Sequence, residues 1–150
     1  MKSPRIILLL ALLVSLLPLF AQDATTNAAT VIPEAAREHF LMGSTLYSNA
    51  TSVAGFKLAA KGFQQAAELA PQWSKPRYNL ALTEEAAEDY AGAIDDLKCY
   101  QAFYLAEAEA RAVQDKIYTL KAKQALKAEE TAAAEAKKRQ EEETKNMKRP

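Results

Sequence analysis

Hydrophobic residues recur at every third or fourth position through most of this 150-residue chain, and the strict alternation typical of strands is absent. The spacing predicts one helix over residues 35–48 and a second over residues 56–69, joined by a polar turn. After the segment PQWS, Ser74 is the predicted N-cap of a third helix, and Asp89 is the predicted N-cap of a fourth. The pattern therefore predicts an all-α fold.

A fifth helix is predicted from about Ala108, with Val113, Ile117 and Leu120 on one apolar face. The residues after Leu120 differ sharply in character: residues 121–150 contain fifteen charged side chains and no aromatic residue. They lack the repeating apolar positions that a coiled coil needs, but Ala, Glu, Lys and Gln favour helix. We expect the fifth helix to cap the domain and to continue as a charged, solvated tail.

Two stretches of the chain match each other at a fixed offset of 34 residues. Each matched pair keeps its character: first aromatic, then small, then large and apolar, then inward-facing. The pairs are Phe56 and Tyr90, Ala59 and Ala93, Phe63 and Leu97, and Ala66 and Tyr100. A helix–turn–helix unit recurring at this period is typical of one class of repeat array.

At these positions the chain resembles the tetratricopeptide repeat (TPR) family, over about residues 35–105. The positions matching that family's second helix are Phe56, Ala59, Phe63 and Pro71, then Tyr90, Ala93 and Leu97, with Leu105 in place of the second proline. The positions matching its first helix are Met42, Gly43 and Leu46, then Asn79, Leu80 and Ala81. Glu84 departs from the usual aromatic residue. The resemblance implies about two repeats, covered at one end by the fifth helix.

Small residues at equivalent positions support the same arrangement independently of the family. Packed helices approach to about 8–10 Å, and the closest contacts between them require small side chains. The residues predicted at these contacts are Gly43, Ala59, Ala81 and Ala93.

The first 21 residues have the three-part layout of a secretory signal peptide. Lys2 and Arg5 precede an apolar run that ends near Pro18, and Ala21 supplies a small residue at the expected cleavage point. The run is shorter than the ~20 residues of a spanning helix. We therefore expect cleavage after Ala21, export to the periplasm or the medium, and no stable membrane span in the mature chain. An uncleaved anchor is the alternative.

The predicted organisation follows from these segments. It comprises a signal peptide over residues 1–21, a flexible leader over 22–31, a TPR-like repeat domain with its capping helix over 32–120, and a charged helical or disordered tail over 121–150.

Charge changes the picture only locally, because nineteen basic residues balance nineteen acidic residues in the whole chain. This balance argues against a nucleic-acid partner. Residues 22–120 contain 8 basic and 13 acidic residues, whereas residues 121–150 contain 9 basic and 6 acidic residues. An acidic body thus carries a basic tail, which either docks onto a partner or is a soluble extension.

Catalytic and metal-binding chemistry has little support in the sequence. The single Cys and single His disfavour a zinc site, and no Gly-rich phosphate loop or calcium loop occurs. We interpret His39 as a structural residue and Cys99 as a small, partly buried helix residue. Glu84, Glu85, Glu88, Asp89, Asp95 and Asp96 are interpreted as a solvated acidic face. The sequence predicts no enzyme, no metal and no cofactor.

Recognition of another protein is the remaining class of function. In TPR proteins that this chain resembles, the first helix of each repeat lines a concave groove for an extended peptide or a partner helix. Carried over to this sequence, the groove residues are Arg37, Phe40, Ser44, Tyr47, Lys75, Tyr78, Asn79 and Leu82. Phe40 and Ser44 stand where chaperone-binding members carry Lys and Asn, so the terminal carboxylate bound by those members is not assigned here.

Two functions stay open at this point. The leading hypothesis is an exported scaffold or adaptor that binds a protein segment in its groove, in cell-envelope assembly or secretion. The alternative is a structural protein that self-associates through its repeats.

Overall fold

The computed structural model describes residues 31–103 and 105–147, and all regular structure in these ranges is α-helical. The helices are α1 (Glu34–Asn49), α2 (Val53–Leu69), α3 (Ser74–Ala86), α4 (Tyr90–Gln101) and α5 (Glu107–Met147). The all-α prediction is confirmed at this level. The predicted signal peptide, residues 22–30 of the predicted leader, Tyr104 and residues 148–150 lie outside the described residues.

The helix starts follow local capping chemistry. The Ser52 side chain accepts a hydrogen bond from the Gly55 amide, and the Asp89 side chain accepts one from the Gly92 amide. The prediction that Asp89 caps the fourth helix is therefore confirmed. The prediction for Ser74 is wrong by one residue, because α3 begins at Ser74 and Trp73 is the N-cap, without a side-chain hydrogen bond.

Consecutive helices pack against one another in chain order, α1 on α2, α2 on α3, α3 on α4 and α4 on α5. The principal core lies among α3, α4 and α5. Its buried residues are Ala81, Ala93, Ile94, Leu97, Tyr100, Val113, Ile117 and Leu120. The predicted apolar face of the fifth helix is therefore buried, as expected. Burial of such a face, rather than helix propensity alone, stabilises a short helix in water.

The contact between α1 and α2 is closest at two glycines. A Cβ placed on Gly62 would lie 2.7 Å from both the amide nitrogen and the Cα of Gly43. Gly43 was predicted as a close contact, and this is confirmed, whereas Gly62 was not singled out. Neither position has room for a side chain, since a Cβ on Gly43 would lie 3.0 Å from the Phe63 amide nitrogen.

The two predicted small contacts in α2 and α4 are also confirmed, because Ala59 and Ala93 are each 0% exposed. Replacing either by leucine is expected to overpack the interface and to lower the free energy of unfolding by about 1–3 kcal/mol. Denaturant midpoints measure this effect. Ala54→Leu and Ala91→Leu are matched controls, since both alanines are exposed on the same helices. Equal midpoints for buried and exposed sites would contradict the packing.

The last helix extends far past the core. Lys127 donates to the Glu88 carbonyl oxygen at 2.9 Å and pairs with the Glu88 carboxylate at 3.0 Å. This anchors α5 beside the turn between α3 and α4, where Glu88 adopts a left-handed backbone with φ of 59°. Every residue from Ala128 to Met147 is exposed. At 1.5 Å per residue, the helix continues for roughly 30 Å beyond its last anchor.

The helices were also compared with the requirements of a bilayer span. Within residues 31–103 and 105–147, no helix combines the necessary length with a sufficiently apolar composition.

Candidate binding surface

The eight predicted groove residues lie on two helices, α1 and α3, and none of them belongs to the fully buried core. Arg37 and Lys75 are exposed, while the rings of Tyr47 and Tyr78 are 39% and 38% exposed. The other four, Phe40, Ser44, Asn79 and Leu82, are half-buried. All eight positions are therefore at least partly accessible to solvent.

An aromatic cluster holds the start of this surface in place. The Phe40 ring centroid lies 5.4 Å from that of Phe63 on α2, in an edge-to-face arrangement. It lies 4.8 Å from the Trp73 ring, which belongs to the turn between α2 and α3. Such aromatic pairs contribute about 0.5–1.5 kcal/mol beyond the area they bury. Phe40 thus has a structural role in addition to its partly exposed edge.

A cavity of about 340 Å³ opens beside this cluster. Its lining residues are Ile32, Arg37, Phe40, Leu41 and Trp73. Arg37 and Phe40 were predicted as groove residues, whereas Ile32, Leu41 and Trp73 were not. The available sequence signal for Trp73 was its isolation, since a large apolar ring in an otherwise polar turn has few structural uses.

A second aromatic cluster lies at the other predicted ring. Tyr78 is 5.1 Å from Tyr100 on α4, and Tyr100 is 6.2 Å from Phe103. The Tyr100 hydroxyl donates to the Glu109 carboxylate on α5, and this bond, with burial, raises the pKa of Tyr100 to about 12. Tyr78 therefore presents a partly exposed face on a rigid base built from two other helices.

Asn79 is less available to a ligand than the sequence implied. Its side-chain amide donates to the Lys75 carbonyl oxygen at 2.9 Å, and its own carbonyl oxygen accepts a hydrogen bond from Thr83 at 2.7 Å. These bonds lie within α3. Contact with a ligand through this amide would require rotation away from Lys75.

The interpretation of the acidic residues as one solvated face is wrong for three of them. Glu85 pairs with both Lys116 and Lys123, which joins α3 to α5. Burial works against its ionisation, but the hydrogen bonds from the two lysines outweigh burial and hold the pKa of Glu85 below its ordinary value. Glu85 is thus part of the framework behind the predicted groove.

Asp96 and Glu84 are the other two exceptions. Asp96 is only 8% exposed and accepts a 2.7 Å hydrogen bond from Arg77, with which it forms an ion pair between α4 and α3. Glu84 is half-buried, and its Oε2 atom is shielded from solvent without a hydrogen-bond partner. Burial, reinforced by the neighbouring Asp96 carboxylate, raises the pKa of Glu84 to about 8. The polar contact lies inside the second helix pair rather than on its surface.

This raised pKa predicts a stability that falls as pH rises. In the unfolded chain Glu84 ionises near its ordinary pKa of about 4.3, so the folded state binds more protons between about pH 4.5 and pH 8. Stability from Glu84 is therefore present in acid and is lost as pH rises toward 8. Glu84→Gln keeps the shape without the titration. We expect the variant to gain stability relative to the natural chain between pH 5 and pH 8 in urea titrations; parallel curves would contradict the prediction.

The remaining chemically distinctive residues form no reaction centre in the described part of the chain. His39 is half-buried in α1, and its Nδ1 atom has no hydrogen-bond partner. The prediction that Cys99 is partly buried is wrong, because Cys99 is a free, exposed cysteine on α4. Among residues 31–103 and 105–147, no group of three or more His, Cys, Asp or Glu side chains has a metal-binding arrangement.

Comparisons with protein-family models, with curated proteins and with solved structures find no significant match to this chain. The functional argument therefore rests on the geometry of the surface.

Proposed function

We propose that α1 with α2, and α3 with α4, are two TPR-like repeats and that α5 caps the second. Burial at equivalent positions supports this. Ala59 and Ala93, 34 residues apart, are both fully buried, as are Phe63 and Leu97, at 2% and 0% exposed. A repeat buries its apolar face against its neighbours, so matched burial is what such an array requires.

The first helices of the two pairs differ in a way that also fits an array. Leu80 on α3 is 3% exposed, whereas Met42, the equivalent residue 38 positions earlier on α1, is 45% exposed. In an array, α3 would have the preceding α2 beside this position, whereas no described helix precedes α1. The α1 side of the domain would then be the open end of the array.

The proposed function is that of an exported scaffold or adaptor that binds a protein segment on the face formed by α1 and α3. The observation that carries it is the set of aromatic rings left partly uncovered on these two helices. Tyr47 and Tyr78 are each more than one-third exposed, and Phe40 and Trp73 border a cavity. Rigid rings offer contact area at low entropic cost and dominate many protein interfaces. A role in cell-envelope assembly or secretion follows from the proposed export.

Export itself rests on the signal-like residues 1–21. We expect the protein recovered from the periplasm or the medium to begin at Gln22. Intact-mass spectrometry of that protein measures the cleavage directly. Full-length chain recovered only from membranes would contradict cleavage and favour a retained anchor.

Site-specific photo-crosslinking tests the binding face. A photoreactive phenylalanine analogue at Ser44 or Tyr78 is expected to capture a partner in living cells. The same analogue at Lys61 or Gln65, exposed positions on α2, serves as the matched control and is expected to capture little. Equal capture from the α2 positions, or none from Ser44 and Tyr78, would contradict a binding face on α1 and α3.

Self-association is the second candidate, favoured by the exposed side chains of Met42 and Leu58 at 45% and 52%. Sedimentation equilibrium of the mature protein separates the two functions. A monomer whose groove crosslinks to another protein supports the adaptor. A stable dimer whose only crosslinks join two copies of this chain supports the structural role.

A further inference from the structure

The cavity beside Trp73 combines an apolar lining with positive charge. Ile32, Phe40, Leu41 and Trp73 provide apolar walls, and Arg37 is the only charged residue among the lining residues. The volume of about 340 Å³ lies at the small end of ligand pockets, which run from about 300 to 1,000 Å³. It therefore suits a single large side chain better than an extended ligand.

The charges around this cavity are unusual for the domain. Residues 22–120 carry 8 basic and 13 acidic residues, yet the exposed cations Arg37 and Lys75 lie close in sequence to the two stacked rings. Arg37 lies three residues before Phe40, and Lys75 lies two residues after Trp73. The binding side of the cavity is thus basic on an otherwise acidic body.

Neither cation is committed to a strong internal contact. The Arg37 guanidinium lies 3.5 Å from the Glu34 carboxylate, but the two side chains are 60% and 90% exposed. Exposed pairs of this kind contribute only about 0–1 kcal/mol, so a ligand carboxylate can replace Glu34. Lys75 forms no ion pair within the described residues.

We infer that the cavity receives one aromatic or large aliphatic side chain from an acidic protein segment, whose carboxylates lie against Arg37 and Lys75. This inference rests on the proposed function and specifies the chemistry of the bound segment. The apolar walls select the inserted side chain by burial, and the two cations select acidic flanks by charge complementarity. A chain terminus is not required, since the recognised carboxylates belong to side chains.

The experiment uses the single tryptophan of the sequence as its reporter. The probe is the heptapeptide Glu-Asp-Glu-Phe-Glu-Asp-Glu, blocked at both ends, which contains no fluorophore that competes with Trp73. One control peptide carries alanine in place of phenylalanine, and another carries lysine at all six acidic positions. Peptide is titrated into the mature protein, and the Trp73 emission gives Kd.

We expect the acidic phenylalanine peptide to shift the Trp73 emission and the alanine peptide to bind at least tenfold more weakly. Burial of a phenylalanine side chain contributes roughly 1.5–3 kcal/mol, and 1.4 kcal/mol corresponds to a tenfold change in Kd. The lysine peptide is expected not to bind. Binding of the acidic peptide should weaken as salt concentration rises.

Protein variants locate the contact. Arg37→Gln and Lys75→Gln are each expected to raise Kd about two- to fivefold, the range of an exposed ion pair. Lys57→Gln and Lys61→Gln, which alter exposed lysines on α2, are matched controls and should leave Kd unchanged. Leu41→Glu should abolish binding without unfolding the domain, because Leu41 is 61% exposed.

Several results would overturn the inference: no binding of the acidic peptide, equal binding of the lysine peptide, or an unchanged Kd in both charge variants. These outcomes are distinct from failure of the proposed function. If Ser44 and Tyr78 crosslink a cellular partner while the acidic peptide does not bind, the binding face stands and its acidic preference is refuted.

Discussion

Arg77→Met is expected to destabilise the domain by about 2–4 kcal/mol at neutral pH. The Arg77 guanidinium forms a 2.7 Å ion pair with Asp96, whose side chain is only 11% exposed. Removing the cation leaves the Asp96 carboxylate shielded from water beside Glu84, without a positive charge to balance it. The expected loss is less than that of a fully buried pair, because the Arg77 side chain is 32% exposed. Urea unfolding followed by circular dichroism measures it.

The control for this substitution removes the charge on both sides. Asp96→Asn combined with Arg77→Met leaves no unpaired ion, so the double variant is expected to recover part of the stability lost by Arg77→Met alone. Coupling between the two sites is then read from the double-mutant cycle. An Arg77→Met protein that unfolds at the same urea concentration as the natural chain would show that the ion pair contributes nothing to folding.

Gly62→Ala is expected to lower the free energy of unfolding by about 2–4 kcal/mol. The new Cβ would lie 2.7 Å from two backbone atoms of Gly43, and backbone atoms have no alternative rotamer through which to relieve the clash. The helices α1 and α2 must therefore separate, which also disturbs Phe63 beside Gly43. Thermal or urea unfolding of the variant measures the loss.

Gly55→Ala on the same helix is the matched control. Both substitutions gain roughly 0.5–1 kcal/mol of helix propensity, so the difference between them isolates the contact. At Gly55 the nearest atom to an added Cβ is the Ala50 side chain at 3.2 Å, a tight contact that a small shift can relieve. Similar stabilities for the two variants would contradict a backbone-limited crossing at Gly62.

Local chemistry explains why so much of the helical framework was predictable. The 3–4 residue spacing of apolar positions places the helices to within a few residues, and an Asp side chain at position 89 caps α4 wherever the rest of the domain lies. The matched small residues Ala59 and Ala93 were predicted as close contacts, and both are fully buried. These properties depend on residues close in sequence or on composition within one helix.

The binding surface was predictable only in part. The groove residues Arg37 and Phe40 were predicted through the family resemblance, and the structure brings both to the cavity. Their neighbours Ile32, Leu41 and Trp73 were missed because the cavity is formed where the start of α1 meets the turn before α3. No pattern within one helix reports which residue of a distant turn will reach it.

The sequence by itself determined the five helices, because periodicity, capping and helix propensity act over a few neighbouring residues. It did not determine the fate of the acidic residues. Asp95 and Asp96 are adjacent, yet Asp95 remains exposed while Asp96 is buried against Arg77, nineteen residues earlier in the chain. Only the packing of α3 on α4 decides which of the two carboxylates loses its water. Burial and pairing depend on side chains brought together from separate helices, and that juxtaposition exists only in the tertiary structure.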